Sequence, residues 1–265
     1  MSVERIARWI INGIAAAVCV YMLAPLVVTV MVSLSSSAVF NLPAPEWSLK
    51  WYAALGRKDG LASSLVLSVN IALLSTAISL VLGTLGAIGI EHGRFRGREA
   101  VLAFMVSPLM MPGLVVGVAL LQAMREVGLR EVVPALIVGH VVITLPYIIR
   151  TVHASLALFD MGLIDAARTL GMSYPRAIVR VLVPVIAPAF ITSGLFAFLA
   201  SMDNYPISMF LTDARTKTLP IEILRYLEEQ PDPTIAAIST GLILLTMVAL
   251  MIAERLVGMK RLSQF

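Results

Sequence analysis

Apolar residues in this chain gather into long, nearly uncharged blocks at about 9–32, 61–90, 100–124, 132–150, 184–211 and 234–257. About 20 apolar residues are needed to cross roughly 30 Å of hydrocarbon. In lipid a single segment satisfies its own backbone only as a helix. The pattern therefore predicts an all-α membrane protein with six transmembrane helices, forming one membrane domain over residues 1–265. The first block follows Arg5 and Arg8 but outruns a signal-peptide core, so it reads as an uncleaved first span. Ser68, Ser75, Ser79, Gly83, Gly86 and Gly89 mark the second as an interior helix, since small residues let backbones approach closely. Pro108 and Pro112 imply a kink or break in the third, and Pro146 lies within the fourth.

The connecting segments predict smaller elements. Ser48 to Tyr52 reads as a short capped helix, with Trp47, Trp51 and Tyr52 suited to a membrane interface. Ile221, Leu224 and Leu227 share one side of a surface helix.

Composition and charge sharpen this picture. Hydrophobic residues make up 59% of the 265 residues, against roughly 45–50% in a soluble domain. The net charge is +4, but the basic residues flank apolar blocks and form no stripe for nucleic acid. Arg5, Arg8, Arg94, Arg96, Arg98, Arg150, Arg168, Arg176, Arg180, Arg255, Lys260 and Arg261 fall on one side of the predicted membrane. Lys50, Arg57, Lys58, Arg125, Arg130, Arg215, Lys217 and Arg225 fall on the other. The richer side is cytoplasmic, which puts both termini and the loop 151–183 inside. The lone Cys19 excludes an intramolecular disulfide. His92, His140 and His153 share no ligand spacing, so no metal site is expected. His140 instead reads as an interhelical hydrogen-bonding residue. No glycine-rich phosphate loop ending in Lys-Ser or Lys-Thr is present, and no cofactor is expected on this chain.

The loop 151–183 carries the sharpest local pattern. Asp160 can cap a helix starting at Met161. Leu163, Ala167 and Leu170 would share one face, and Gly171 fits the left-handed residue that ends a helix. Ser173 can cap a second helix with Pro175 in its first turn. Two short helices joined by a glycine elbow follow. Taken alone, such a segment could also lie on the headgroups.

The run Asp165-Ala166-Ala167, three residues, Gly171, nine residues, then Val181-Leu182-Val183-Pro184 resembles the EAA motif of bacterial ABC importer permease subunits. Asp165 stands for the usual glutamate, Val181 for isoleucine and Val183 for leucine. The resemblance implies a coupling helix that docks on a separate ATPase subunit, with Asp165, Ala166, Ala167, Arg168, Gly171 and Pro184 as its coupling residues. It further implies ATPase subunits, a second permease subunit (homologous or identical), a solute-binding protein, and an inner-membrane location. Ser201-Met202-Asp203-Asn204-Tyr205 with Phe210, Thr218 to Ile223, and Pro45, Ser48, Trp51 and Tyr52 are similar to the polyamine-type permeases. A polyamine or another amine-bearing solute is thereby implied, with Asp203, Asn204 and Tyr205 as candidate pathway residues. Relatives often carry a second acid where this chain has Asn204.

Asp203 is the one acid set well inside an apolar block, where a charge usually faces a cavity or a partner. It either lines the path or bonds a neighbouring helix, and Pro206 can break the helix beside it. An ATP-independent secondary transporter is the alternative class, and would show paired interrupted helices and internal repeats.

Overall fold

The computed structural model describes residues 3–56, 60–93, 95–229 and 231–262. Arg57, Lys58 and Arg94 of the charge pattern lie outside the described residues, as do the side chains of Arg5, Lys260 and Arg261. The described residues are helical, with a single isolated bridge between Ser35 and Trp47. In order they form α1 (Val3–Ser33), α2 (Lys50–Leu55), α3 (Leu61–His92), α4 (Arg98–Val106), α5 (Gly113–Glu126) and α6 (Val132–Ala157). There follow α7 (Gly162–Thr169), α8 (Tyr174–Ala177), α9 (Val183–Met202), α10 (Tyr205–Leu211), α11 (Leu219–Glu229) and α12 (Thr234–Leu262).

Among the described residues, five helices are long and apolar enough to cross a membrane: Ala7–Ser33, Leu61–His92, Val132–Ala157, Tyr174–Met202 and Thr234–Gly258. The third expected span, at about 100–124, is a bent pair, with the break that Pro108 and Pro112 implied. Arg98–Met110 and Gly113–Glu126 meet at 109°, and each alone is only about 20 Å long. The break has a local cause. Pro112 forces Met111 out of the helical region, to φ −90 and ψ 144.

Two other helices depart from their expected bounds. α6 runs on to Ala157, past the expected end at 150. The fifth span was expected at 184–211, but its helix already begins at Tyr174 and stops at Met202. Prolines explain both of its irregularities. Pro184 has no amide hydrogen, and its ring crowds the carbonyl of Arg180. The chain widens there into a π turn, Ile178–Leu182, in which the Val183 amide reaches back to the Ile178 carbonyl. Pro206 would crowd the Met202 carbonyl in the same way, and the helix ends at Met202 instead. Asn204 then starts α10, its side-chain oxygen accepting from the Ile207 amide at 3.0 Å.

Residues Met1–Ala62 with Ile223–Met247 form one compact unit, and Ser63–Glu222 with Val248–Phe265 form another. In the first, the chain leaving α1 is pinned by side chains. Tyr52 Oη and Ser33 Oγ lie 2.8 Å apart, and Trp51 Nε1 donates to the Ser35 carbonyl at 2.8 Å. Ser48 Oγ accepts from the Lys50 amide at 3.2 Å. Leu49 rather than Ser48 holds the cap position of α2. Tyr226 Oη donates to Asp232, whose other oxygen accepts from the Thr234 amide that opens α12.

In the second unit, α9 packs along α6, and α10 packs against α5 and α6. Ile148, Val152, Leu182 and Ile186 lie in one buried cluster, and Ile71, Leu136, Ile207 and Leu211 in another. Glycines set the closest approaches. A Cβ on Gly117 would lie 2.6 Å from Phe210 Cδ2 and 2.8 Å from the Pro206 carbonyl. A Cβ on Gly113 would lie 3.0 Å from Pro206, and one on Gly139 2.7 Å from Leu211. The short α10 therefore nests in a cradle of glycines, beside the Pro112 break.

Two stability measurements follow. Gly117→Val should lower the thermal midpoint of the solubilised protein, since overpacking costs about 1–3 kcal/mol. Gly241→Ala, with no atom within 4 Å of the added carbon, should leave the midpoint unchanged. Asn204→Ala should cost about 1 kcal/mol by removing the α10 cap, and Asn204→Asp should restore it.

Candidate functional site: the α7–α8 elbow and the α9–α10 break

The elbow is built by local rules. Asp160 Oδ1 accepts from the Gly162 amide at 2.8 Å, so α7 starts at Gly162, one residue later than expected. At its far end the Met172 amide returns to the Ala167 carbonyl and the Gly171 amide to the Arg168 carbonyl. This is a Schellman closure, and it holds Gly171 at φ +88. Space does not select glycine there, since an added Cβ would meet no atom within 4 Å; the left-handed backbone does.

The face of α7 differs from the expected one. Leu163, Ala167 and Leu170 do not act together. Ile164 and Ala167 turn inward and join the cluster containing Leu182 and Ile186. Leu163 and Leu170 are exposed, Leu170 at 88%, and with Ala166 they give α7 an outer apolar side. Asp165 and Arg168 flank it with an exposed pair at 3.5 Å. An exposed pair of this kind contributes little to stability, which leaves both groups available to another surface. The Arg168 guanidinium also lies 5.8 Å from the centre of the Tyr174 ring.

The second helix of the elbow is not a separate piece. Ser173 sits at the cap position but its side chain makes no capping bond, while Pro175 occupies the first turn as expected. From Tyr174 the helix continues through the π turn to Met202. One rod of 29 residues, about 43 Å of helix, thus joins the elbow to the break at Asp203.

Asp203 terminates that rod. Its amide donates to the Leu199 carbonyl, and its own carbonyl accepts from the Tyr205 amide. The sequence sets it well inside an apolar block with Pro206 able to break the helix; the helix does end there, and Asp203 is exposed at the interruption. Among the described residues its carboxylate has no hydrogen-bond or ion-pair partner. Asn204 is occupied as the α10 cap, and Tyr205 is the half-buried first residue of α10. Past α10, the backbone amides of Thr216 and Arg215 hold the Asp213 carboxyl below its ordinary range, which fixes the turn leading to α11.

The interhelical bonding expected of His140 is present behind the break, and only its partners were not legible in the sequence. His140 on α6 is buried, with Nδ1 2.7 Å from Ser201 Oγ and Nε2 3.3 Å from Ser208 Oγ. Ser201 Oγ also lies 3.2 Å from Ser75 Oγ on α3. Ser79 and Thr144 pair at 2.7 Å one turn away. Ser68, Ser75 and Ser79 at helical spacing are the available signal, and Ser68 Oγ accepts from the Leu219 amide. At the other end of α3, Glu91 pairs with His153 of α6 at 3.0 Å.

The pattern of the family described as binding-protein-dependent transport system inner membrane component matches residues 79–259. The spermidine/putrescine transport system permease protein PotC of Escherichia coli (strain K12) is 27% identical over 253 residues, covering 96% of this chain and 95% of that protein. The putrescine transport system permease protein PotI of the same organism is 29% identical over 229 residues, covering 83% and 80%. Among solved structures, a bacterial alginate ABC transporter in complex with an alginate pentasaccharide-bound periplasmic protein matches with a TM-score of 0.71 at 14% identity, over 95% of each chain. Such relatives are transport components rather than enzymes. On this match the chain belongs to the family of binding-protein-dependent transport system inner membrane components, as a permease subunit of an ABC importer.

Proposed function

We propose that this permease imports an amine-bearing solute, a polyamine or a smaller amino compound, delivered by a solute-binding protein. It works with a second permease subunit and is driven by separate ATPase subunits that dock on α7. The observation that carries the reading is the single helix from Tyr174 to Met202, with an exposed apolar elbow at one end and, at the other, an exposed carboxylate without a partner among the described residues. Leu163, Ala166 and Leu170 supply apolar contact area, and Asp165 and Arg168 supply charged contacts at its rim. When the ATPase subunits close, the elbow moves with them, and the rod carries that displacement to the break. Asp203 gives a passing ammonium group a transient counter-charge, while selection rests mainly on the binding protein. The names of the two curated relatives support an amine substrate. In this arrangement the bent α4–α5 pair counts as one span, and both termini, with α7, face the cytoplasm. Interrupted helices, expected of ATP-independent transporters, occur here in a member of an ABC family and so do not select that alternative.

Two experiments test this reading in a reconstituted complex with its binding protein. Gly171→Pro should uncouple ATP hydrolysis from uptake or weaken ATPase association, because proline cannot adopt the positive φ of Gly171. Undiminished ATP-driven uptake would overturn the coupling role. Asp203→Asn should lower uptake of radiolabelled putrescine or spermidine about tenfold or more, since a charged hydrogen bond contributes about 1.5–3 kcal/mol. Assembly and ATPase association should persist. Normal uptake, or failure to assemble, would make Asp203 structural.

A further inference from the structure

A histidine buried among helices with both nitrogens bonded is ordinarily a core residue and no more. His140 differs in where its two partners lie. Ser201 is in the last turn of α9 and Ser208 is in α10, so the imidazole of α6 bonds one hydroxyl on each side of the break. Between those two serines the chain has no continuous helix to fix its course. Among the described residues, the turn at Asp203, the Asn204 cap and this ring supply hydrogen bonds that connect the two halves.

The chemistry suits a spacer. A neutral imidazole has one donor and one acceptor nitrogen, and serine hydroxyls serve in either role. Either tautomer therefore satisfies both bonds. The ring is flat and rigid, so it fixes the separation of its two partners in a way that a flexible chain does not. Ser75 extends the bonding from Ser201 to α3, which ties the end of the rod to two neighbouring helices. On its opposite side α10 is held by Gly113 and Gly117 of α5, where no side chain can adjust. His140 is thus the side-chain contact that fixes α10 from the α6 side.

We propose that His140 is a positioning residue: by bridging Ser201 and Ser208 it sets the geometry of the α9–α10 break and so the aim of the Asp203 carboxylate. Its effect on transport rests on the proposed solute contact at Asp203, while its effect on the break does not.

The test separates the two. In the assembled transporter carrying Cys19→Ser and Asp203→Cys, the rate of maleimide labelling at position 203 reads the break directly. His140→Leu removes both bonds and should change that rate severalfold. His140→Gln keeps a donor and an acceptor and should return the rate most of the way. In transporters retaining Asp203, His140→Leu should lower maximal putrescine uptake with complex yield and ATPase association unchanged, and His140→Gln should recover part of it. Unchanged labelling in His140→Leu overturns the proposal. So does a loss of uptake that tracks loss of complex and is shared equally by the Gln variant. If Asp203→Asn transports normally, the solute contact fails, yet an altered labelling rate still supports the positioning role and an unaltered one still refutes it.

Discussion

Lipid offers a backbone polar group no water, so every proline in a membrane helix must be answered by the protein itself. That constraint shapes the part of this chain that matters. Pro112, Pro184 and Pro206 each receive a different answer. At Pro112 the helix is abandoned and redirected by 109°. At Pro184 it is kept, at the cost of one wide turn with the Val183 amide reaching Ile178. At Pro206 it is stopped and restarted, with Asn204 supplying the bond that the new helix lacks. The Pro112 and Pro206 interruptions come together because glycine at 113 leaves room for the Pro206 ring. Pro146 and Pro188, by contrast, remain inside their helices.

Those three answers organise the machinery. The wide turn lies next to the elbow, and the stop lies beside an acid that faces outward. Between them the helix packs along α6 on small and branched residues, where dispersion replaces the hydrophobic drive that lipid cannot supply. A rod held along its length but free of regular helix at both ends can shift as a body. Its ends are also where the proposed ATPase and solute contacts lie.

Much of this was legible in the sequence because it obeys local rules. The Asp160 cap, the left-handed Gly171 and the first-turn Pro175 each depend on a few neighbouring residues, and each was found where expected within one position. What escaped depended on distance or on medium. Hydropathy read 184–211 as one span because the residues on both sides of the break, up to Met202 and from Tyr205 to Leu211, are almost wholly apolar. Helical spacing also grouped Leu163 and Leu170 with Ala167, which packs inward with Ile164 instead. Two stripes, Leu163–Leu170 and Ile164–Ala167, are equally apolar over eight residues, and only tertiary packing chooses between them. The bonds of His140 span 61 and 68 residues of chain, beyond any spacing rule. The charge pattern spoke to orientation but could not say how a helix would bend.

The π turn at Ile178–Leu182 carries a consequence for how this region can change over time. A π turn holds one residue more than the α-helix around it, and each helical residue turns the chain by about 100°. The count of residues between Gly171 and Pro184 is therefore an angular setting, comparable to the number of teeth on a gear. Losing one residue would restore a regular helix and still leave the elbow facing a different direction. Exposed side chains here, such as Val179 and Val183, can change without altering that setting, whereas insertions and deletions reset it. Loops ordinarily tolerate length changes better than the helices they join; in this segment that expectation is inverted.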